Sequence, residues 1–219
     1  MAGEGRIGTD ESGKGDYFGP LVVAGVYVAD GVTEERLRRL GARDSKKLSD
    51  RRVTAVAAGV KESAPASVVA IGPARYNELY ARMGNLNLIL AWAHARVLEN
   101  LAADVPEGTR AVTDKFGDES YVASALMKRG RKLALVQLTH AEDDVAVAAA
   151  ACVARAEFLR RLERLGADVG VRLPKGAAAA VEDAAREIIR TRGAAALRTV
   201  AKVHFKTTSR LGLPAGAAL

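Results

Sequence analysis

The segment from Thr9 to Pro20, TDESGKGDYFGP, contains the residue types that metal-dependent phosphate chemistry requires. Two adjacent carboxylates, Asp10 and Glu11, stand at the end of a predicted strand, and carboxylate oxygens are the ligands that Mg²⁺ prefers. A lysine between two glycines, Gly13-Lys14-Gly15, follows them. Glycines let backbone N–H groups approach a phosphate or a sugar without a side chain in the way. The segment therefore predicts a divalent metal site beside a phosphate group.

The elements that position these residues are predicted from apolar patterning. Short β-branched and apolar runs predict strands, and helical spacing of apolar residues predicts helices between them. The predicted strands are 6–10, 21–29, 67–71, 110–114 and 132–138. The predicted helices are 34–40, 49–61 with Ser49 as N-cap, 86–102, 119–129, 145–165, 177–190 and 194–203. A sheet that begins as a meander and continues by β-α-β crossovers is an α/β arrangement.

Charge is distributed unevenly along the 219 residues, whose formal net charge is +7. Residues 1–151 contain 20 basic and 20 acidic side chains, whereas residues 152–219 contain 13 and 6. A basic segment joined to a neutral, carboxylate-bearing one predicts a polyanion held beside the metal site. Solvated helices with an Arg-rich and Ala-rich composition are the alternative. If the first interpretation holds, removing Arg186, Arg190 and Lys202 flattens the salt dependence of binding.

The single cysteine, Cys152, excludes an internal disulfide, and its apolar neighbours predict a buried thiol. Without a cluster of cysteines and histidines, the sequence also argues against a zinc site. Residues 1–8 are too short and too polar for a signal peptide. No apolar run approaches the ~18 residues that a membrane span needs. We expect a cytoplasmic protein that does not bind membranes.

The segment from Thr9 to Pro20 closely resembles the opening motif of the type 2 ribonucleases H. Its Gly-Lys-Gly-Asp-Tyr-Phe-Gly-Pro part is similar to ribonuclease HIII, since HII enzymes usually carry Arg for the lysine and lack Asp-Tyr-Phe. Further segments match in the order of the family, so that the resemblance runs from about residue 5 to about residue 210. These are Asp44-Ser45-Lys46-Lys47-Leu48, Asn85-Leu86-Asn87, Ala91-Trp92-Ala93-His94, Thr113-Asp114-Lys115-Phe116, Ala141-Glu142 with Ala146 to Ala150, Leu173-Pro174-Lys175-Gly176 and Val203-His204-Phe205-Lys206.

The resemblance implies a ribonuclease H-like fold with a mixed five-stranded sheet flanked by helices. The implied domains are a catalytic domain, 1–170, and a basic helical subdomain, 171–219, packed on it. The implied enzyme is a monomeric endonuclease that hydrolyses the RNA strand of RNA–DNA hybrids and leaves 3′-OH and 5′-phosphate ends. One alternative is an HII-like enzyme that nicks duplex DNA at single ribonucleotides. The alternative from another class is a non-catalytic module that binds hybrids.

Ribonucleases HIII typically carry an extra N-terminal domain that helps to grip the hybrid. Here the first catalytic motif begins at residue 9. We therefore expect no such domain in this chain, and we expect the basic C-terminal helices to take over its role in binding.

The resemblance also implies four catalytic residues, which hold two Mg²⁺ or Mn²⁺ ions. They are Asp10, Glu11, Asp114 and Glu142. Two-metal hydrolysis requires carboxylates that converge from different elements, because the two ions lie about 4 Å apart. Asp143 is the alternative to Glu142 as the fourth carboxylate. The acidic residues 142–144 could instead complement the dipole of the helix that follows them.

Substrate contacts are implied for five residues. The backbone of Gly13, Lys14 and Gly15 would contact the 2′-OH, the group that distinguishes RNA from DNA. Ser45 and Lys46 would contact phosphate from a loop. His94 lies on the apolar face of a predicted helix, and we interpret it as a packed histidine.

Overall fold

The computed structural model describes residues 5–42, 45, 48–114, 118, 120–139 and 141–213, and the Glu142 side chain is not among the described atoms. Within these residues, strands form one mixed sheet of order β3-β2-β1-β4-β5. β1 pairs antiparallel with β2 and parallel with β4, which in turn pairs parallel with β5. The strands are β1 (Arg6–Ser12), β2 (Leu21–Val28), β3 (Ala66–Ile71), β4 (Arg110–Asp114) and β5 (Ala134–Leu138). The predicted mixed five-stranded sheet is therefore confirmed.

Helices connect and follow the strands. They are α1 (Gly31–Leu40), α2 (Asp50–Ser63), α3 (Pro73–Met83), α4 (Leu86–Leu101), α5 (Ser120–Ala125), α6 (Val145–Val169), α7 (Ala179–Arg192), α8 (Leu197–Val200) and α9 (Lys206–Ser209). Short 3₁₀ turns occupy Gly130–Lys132, Ala141–Asp143 and Ala194–Ala196. The C-terminal part is helical, as predicted.

Local signals explain the boundaries of α2 and α3. Ser49 caps α2 as predicted, because its side chain accepts a hydrogen bond from the Arg52 amide at 3.2 Å. Helix α3 was not predicted, although Pro73 at its first turn and Gly84 in the left-handed conformation at its end are typical helix signals. The predicted helix 194–203 ends early, since Ala201 adopts an extended conformation and forms an isolated bridge with Phe18.

Helices pack on both faces of the central strand. A Cβ atom on Gly8 would lie 2.2 Å from the backbone of Ala146 and Val147, so the first turn of α6 lies directly on this face of β1. A Cβ on Gly25, which pairs with Thr9, would instead lie 2.5 Å from Val97 of α4. Successive residues of β1 therefore alternate between α6 and α4.

The chain divides into two compact units. Unit 1 consists of the described parts of Met1–Ser12, Val22–Val69 and Asn85–Ala156, and it contains the central strands. Unit 2 consists of the described parts of Gly13–Leu21, Ala70–Gly84 and Glu157–Leu219. The predicted domain boundary at residue 170 stays a prediction.

Two smaller predictions concern burial and hydropathy. Cys152 is fully buried, as its apolar neighbours predicted. Of the helices in the described part of the chain, none is both long enough and apolar enough to cross a membrane.

Candidate active site

Asp10 and Asp114 stand side by side at the carboxyl ends of two parallel strands. The last paired residues of β1 and β4 are Thr9 and Thr113, so each aspartate is the next residue on its strand. Residues at equal positions of neighbouring strands share a face of the sheet. Both side chains are half-buried. Crevices outside the carboxyl ends of parallel strands are where open α/β sheets bind ligands.

Glu11 follows Asp10 and contacts α4. Its Oε2 lies 3.4 Å from Nε2 of His94, and its side chain is only 12% exposed. The other ring nitrogen of His94, Nδ1, lies 2.8 Å from the hydroxyl of Thr9. When Thr9 donates to Nδ1, the proton of the neutral imidazole is on Nε2 and faces the Glu11 carboxylate. His94 is fully buried, as a packed histidine should be, but its contact with Glu11 was not predicted.

The acidic turn before α6 also packs on β4. Ala141 forms a core cluster with Val112 of β4 and Val147 of α6, which places the backbone of Glu142 in this turn. Asp143 is exposed. Because the Glu142 side chain is not described, the choice between Glu142 and Asp143 as the fourth carboxylate stays a prediction.

Asp144 bonds both the start of α6 and the side chain of Arg6. Its Oδ1 accepts a hydrogen bond from the Ala146 amide at 2.8 Å, in the first turn of α6. Its Oδ2 accepts one from Nε of Arg6 at 2.7 Å, and Arg6 also bonds Glu34. The predicted alternative, an acid that complements the start of the helix, therefore holds for Asp144.

The donor set fits a hard divalent cation. Among the described side chains, no three Asp, Glu, His or Cys residues are grouped so that they could hold a metal ion. The predicted fourth ligand, Glu142, is outside that search. The described carboxylates, Asp10, Glu11 and Asp114, offer only oxygen atoms, which suit Mg²⁺ or Mn²⁺ rather than zinc. The fold brings Asp10 and Asp114 together by strand register, with Glu11 as the next residue of β1.

The predicted ribose-binding turn begins with a glycine in the left-handed conformation. Gly13 has a φ of 88°, and a Cβ at this position would lie 2.1 Å from the carbonyl oxygen of Pro20. Only glycine fits this turn without strain. Lys14 is half-buried, and Gly15 is exposed, with open space around the position that a Cβ would take. The roles of these three residues in binding stay predictions.

The second predicted phosphate loop is described only in part. Ser45 is 9% exposed, and its carbonyl accepts a hydrogen bond from Arg155, which also bonds Asp50 at 2.7 Å. Lys46 lies outside the described residues. Their predicted contacts with phosphate remain predictions.

The prediction that Lys202 grips phosphate is wrong, because this side chain is fully buried. The other two predicted contacts are accessible but paired. Arg186 bonds Glu182 at 3.1 Å and is 49% exposed, and Arg190 bonds Glu187 at 2.6 Å and is 71% exposed. Exposed pairs of this kind are weak, so both arginines stay available to a polyanion.

Burial of Lys202 makes stability depend on pH. Burial lowers the pKa of this lysine to about 7, while Asp16 acts in the opposite direction. The unfolded lysine keeps its proton up to about pH 10.5, so between the two pKa values the unfolded state binds more protons. The free energy of unfolding should therefore rise with pH, by on the order of 2 to 3 kcal/mol from pH 7 to 9.5. Below pH 7 both states are protonated, and this contribution is constant.

Urea denaturation of the wild type and Lys202→Met at pH 7 and pH 9.5 checks this expectation. The wild type should gain stability relative to the variant as the pH rises, because methionine cannot titrate. Burial and Lys202 both lower the pKa of His204 as well, so measurements below pH 7 are left out of the comparison. A constant difference between the two proteins would contradict the expectation.

Comparison with known proteins finds one family along nearly the whole chain. The family model described as ribonuclease HII matches residues 7–208. The ribonuclease HIII of Chlamydia abortus is 42% identical over 203 residues, which cover 92% of this chain and 68% of that protein. The ribonuclease HIII of Protochlamydia amoebophila is 44% identical over 203 residues, covering 92% and 66%.

Solved structures show the same similarity in three dimensions. A crystal structure of Bst-RNase HIII in complex with Mn²⁺ has a TM-score of 0.88 and 34% identity, covering 95% of this chain and 69% of that one. The ribonuclease HII of Archaeoglobus fulgidus, solved as a complex with PCNA, has a TM-score of 0.78 and 30% identity, covering 95% and 97%. The chain thus has relatives among both HIII and HII enzymes.

Proposed function

Because this chain belongs to the ribonuclease HII family and closely resembles ribonucleases HIII, it is an endoribonuclease H, and we propose that it hydrolyses the RNA strand of RNA–DNA hybrids. The proposed products carry 3′-OH and 5′-phosphate ends. The reaction is proposed to depend on Mg²⁺ or Mn²⁺. The alternative of a non-catalytic binding module is set aside, since the relatives are named as enzymes.

The observation that carries the proposal is the register of β1 and β4. It sets Asp10 and Asp114 on the same face at the carboxyl ends of parallel strands. Two half-buried carboxylates side by side repel each other unless a cation is shared between them. Divalent metal ions bound at this site would offset the repulsion between the two carboxylates. The Mn²⁺ complex of Bst-RNase HIII supports the same class of cofactor here.

Asp10, Glu11, Asp114 and Glu142 are proposed to hold two metal ions. When bound, such ions lower the pKa of a water molecule and neutralise charge on the phosphate. The contribution of the chain is to fix the carboxylates before substrate arrives. The strand register sets the positions of Asp10 and Asp114, and His94, whose Nε2 lies 3.4 Å from Glu11, is proposed to orient that carboxylate. Asp144 and Arg6 anchor the turn that carries Glu142.

Recognition of RNA is proposed to lie in the Gly13-Lys14-Gly15 turn. The exposed backbone at Gly15 leaves room for a ribose to approach. A backbone amide that bonds the 2′-OH would distinguish RNA from DNA at that position. Ser45 and Lys46 are proposed as further phosphate contacts.

His94→Phe should weaken metal binding. Phenylalanine fills a similar volume but cannot contact the Glu11 carboxylate, and loss of such orienting contacts typically lowers metal affinity about 10-fold or more. Isothermal titration with Mn²⁺, without substrate, measures the change. His94→Gln, which keeps a donor, should bind Mn²⁺ with intermediate affinity. Equal affinities in all three proteins would show that His94 only fills space.

Side-by-side cleavage of two labelled duplexes tests the proposed function. One is a uniform RNA–DNA hybrid, and the other is DNA with a single ribonucleotide, each incubated with Mg²⁺ and with Mn²⁺. We expect multiple cuts in the hybrid, little attack at the single site, and no cleavage in EDTA. Digestion of the products by a nuclease specific for 5′-phosphate ends checks the chemistry of the break.

HII-like nicking is the second candidate, because the Archaeoglobus fulgidus ribonuclease HII also covers 95% of this chain at 30% identity. Efficient nicking at the lone ribonucleotide would assign the chain to this substrate class. Absence of cleavage in both duplexes would contradict both candidates. The monomeric state stays a prediction.

A further inference from the structure

Lys202 is a fully buried lysine that the proposed chemistry does not use. Its Nζ donates a hydrogen bond to the carbonyl oxygen of Gly19 at 2.7 Å and lies 3.5 Å from that of Phe18. The ammonium group also lies 5.8 Å from the centre of the Tyr76 ring. Lysine is almost never fully buried unless partners compensate for its lost hydration. Here those partners are backbone carbonyls of the motif loop, defined as residues 13–20.

The backbone around Lys202 pairs with the same loop. Its amide donates to the carbonyl of Tyr17 at 2.8 Å, and the Gly19 amide donates to the carbonyl of Val200 at 2.9 Å. Ala201 and Phe18 form an antiparallel bridge between these two bonds. The segment 200–202 therefore acts as a short strand, to which the ammonium group of Lys202 adds a further contact from within the core.

Gly176 also forms hydrogen bonds with the motif loop. Its amide donates to Oδ1 of Asp16 at 2.6 Å, and its carbonyl accepts a hydrogen bond from the Tyr17 amide at 2.9 Å. The Tyr17 hydroxyl lies 3.1 Å from that of Thr208. Residues 16–19 are thus bonded both by Gly176 and by the segment 200–202, and within residues 13–19 the motif loop is exposed at Gly15.

We propose that Lys202 is a positioning residue that holds the motif loop in the shape that recognises a ribose. It acts through the carbonyls of Phe18 and Gly19 and does not touch the substrate itself. An amine whose N–H groups face two successive carbonyls, whether it is charged or neutral, restrains the orientation of both peptide planes. The backbone amides at Gly13 to Gly15, a few residues away along the chain, are then presented in one fixed arrangement. The proposal rests on the proposed role of that turn in contacting the 2′-OH.

Lys202→Met tests the proposal, because methionine fills much of the same space but cannot bond the carbonyls. Lys61→Met, at an exposed position of α2, is the control for the loss of one positive charge. Each is made in an Asp114→Asn background so that substrate is not consumed. Binding of an RNA–DNA hybrid and of a DNA duplex of the same sequence is measured by fluorescence anisotropy. Hydrogen exchange of residues 13–19 is measured on the free proteins.

We expect Lys202→Met to bind the hybrid about 10-fold more weakly, the loss that one well-placed hydrogen bond represents, with little change for the DNA duplex. Hydrogen exchange in the motif loop should become faster, and Lys61→Met should match the parent in both readouts. The proposal would be overturned if Lys202→Met kept the parent's ratio of affinities for the hybrid and the DNA duplex. Unchanged hydrogen exchange in the motif loop would overturn it as well.

Asp16→Ala is the second variant, used if Lys202→Met does not fold. Asp16 is half-buried, and its replacement removes the hydrogen bond between the motif loop and Gly176. As for Lys202→Met, we expect a smaller preference for the hybrid over the DNA duplex and faster hydrogen exchange in the motif loop. Unchanged discrimination in this variant would also overturn the proposal. If the parent protein itself does not distinguish hybrid from DNA, the proposed function fails. The exchange measurement still decides whether Lys202 restrains the loop.

Discussion

Replacing Asp114 by asparagine is expected to lower the rate of hybrid cleavage by about 10³-fold or more while hybrid binding is retained. Asparagine has nearly the same shape, so the end of β4 and its register with Asp10 should persist. What is lost is a negative charge that would help to hold the metal ions. Affinity for the hybrid should stay equal or rise slightly, because one carboxylate that repels the phosphates is gone.

The matched control for Asp114→Asn is Asp104→Asn. Asp104 is an exposed aspartate in the loop that leads from α4 to β4, and its replacement should leave both cleavage and binding unchanged. Single-turnover cleavage and anisotropy with the same labelled hybrid measure the two quantities. Undiminished cleavage by Asp114→Asn would contradict the assignment of Asp114 as a catalytic carboxylate.

Replacing Gly8 by alanine is expected to destabilise the fold by about 3 kcal/mol or more and to remove activity together with stability. The new methyl group would lie 2.2 Å from backbone atoms of Ala146 and Val147 and 2.7 Å from the Ala146 Cβ. Backbone cannot move aside as a flexible side chain can, so the first turn of α6 must shift away from β1. That turn follows directly after the acidic residues 142–144, and the shift would also disturb the contact of Ala141 with Val112 of β4.

Gly31→Ala is the control for the glycine substitution. Gly31 is the first residue of α1, and a Cβ there meets no atom within 4 Å, so its stability should change by no more than about 0.5 kcal/mol. Urea denaturation of both variants and the wild type measures the difference. A Gly8→Ala protein as stable as Gly31→Ala would show that α6 does not pack on β1 as closely as the structure has it.

The sequence by itself determined the elements that carry the site. Short β-branched runs and helical apolar spacing are local properties, and they predicted β1, β4 and α6 to within a few residues. The motif from Thr9 to Pro20 also identified the family, because its residue types and order are specific. The helix α3 was missed even though its Pro73 and Gly84 signals were local.

Only the tertiary structure decided how charged and polar residues are used. In the sequence Lys202 is one basic residue among many, and the fold buries it against the carbonyls of Phe18 and Gly19. The contact between His94 and Glu11 joins residues that are 83 positions apart in the sequence and lie on different elements. A local sequence pattern cannot predict a contact over such a separation. Whether a charged side chain is buried or paired depends on which elements pack together. The distribution of charge along the chain therefore predicts that a polyanion is bound, but it does not predict which side chains contact it.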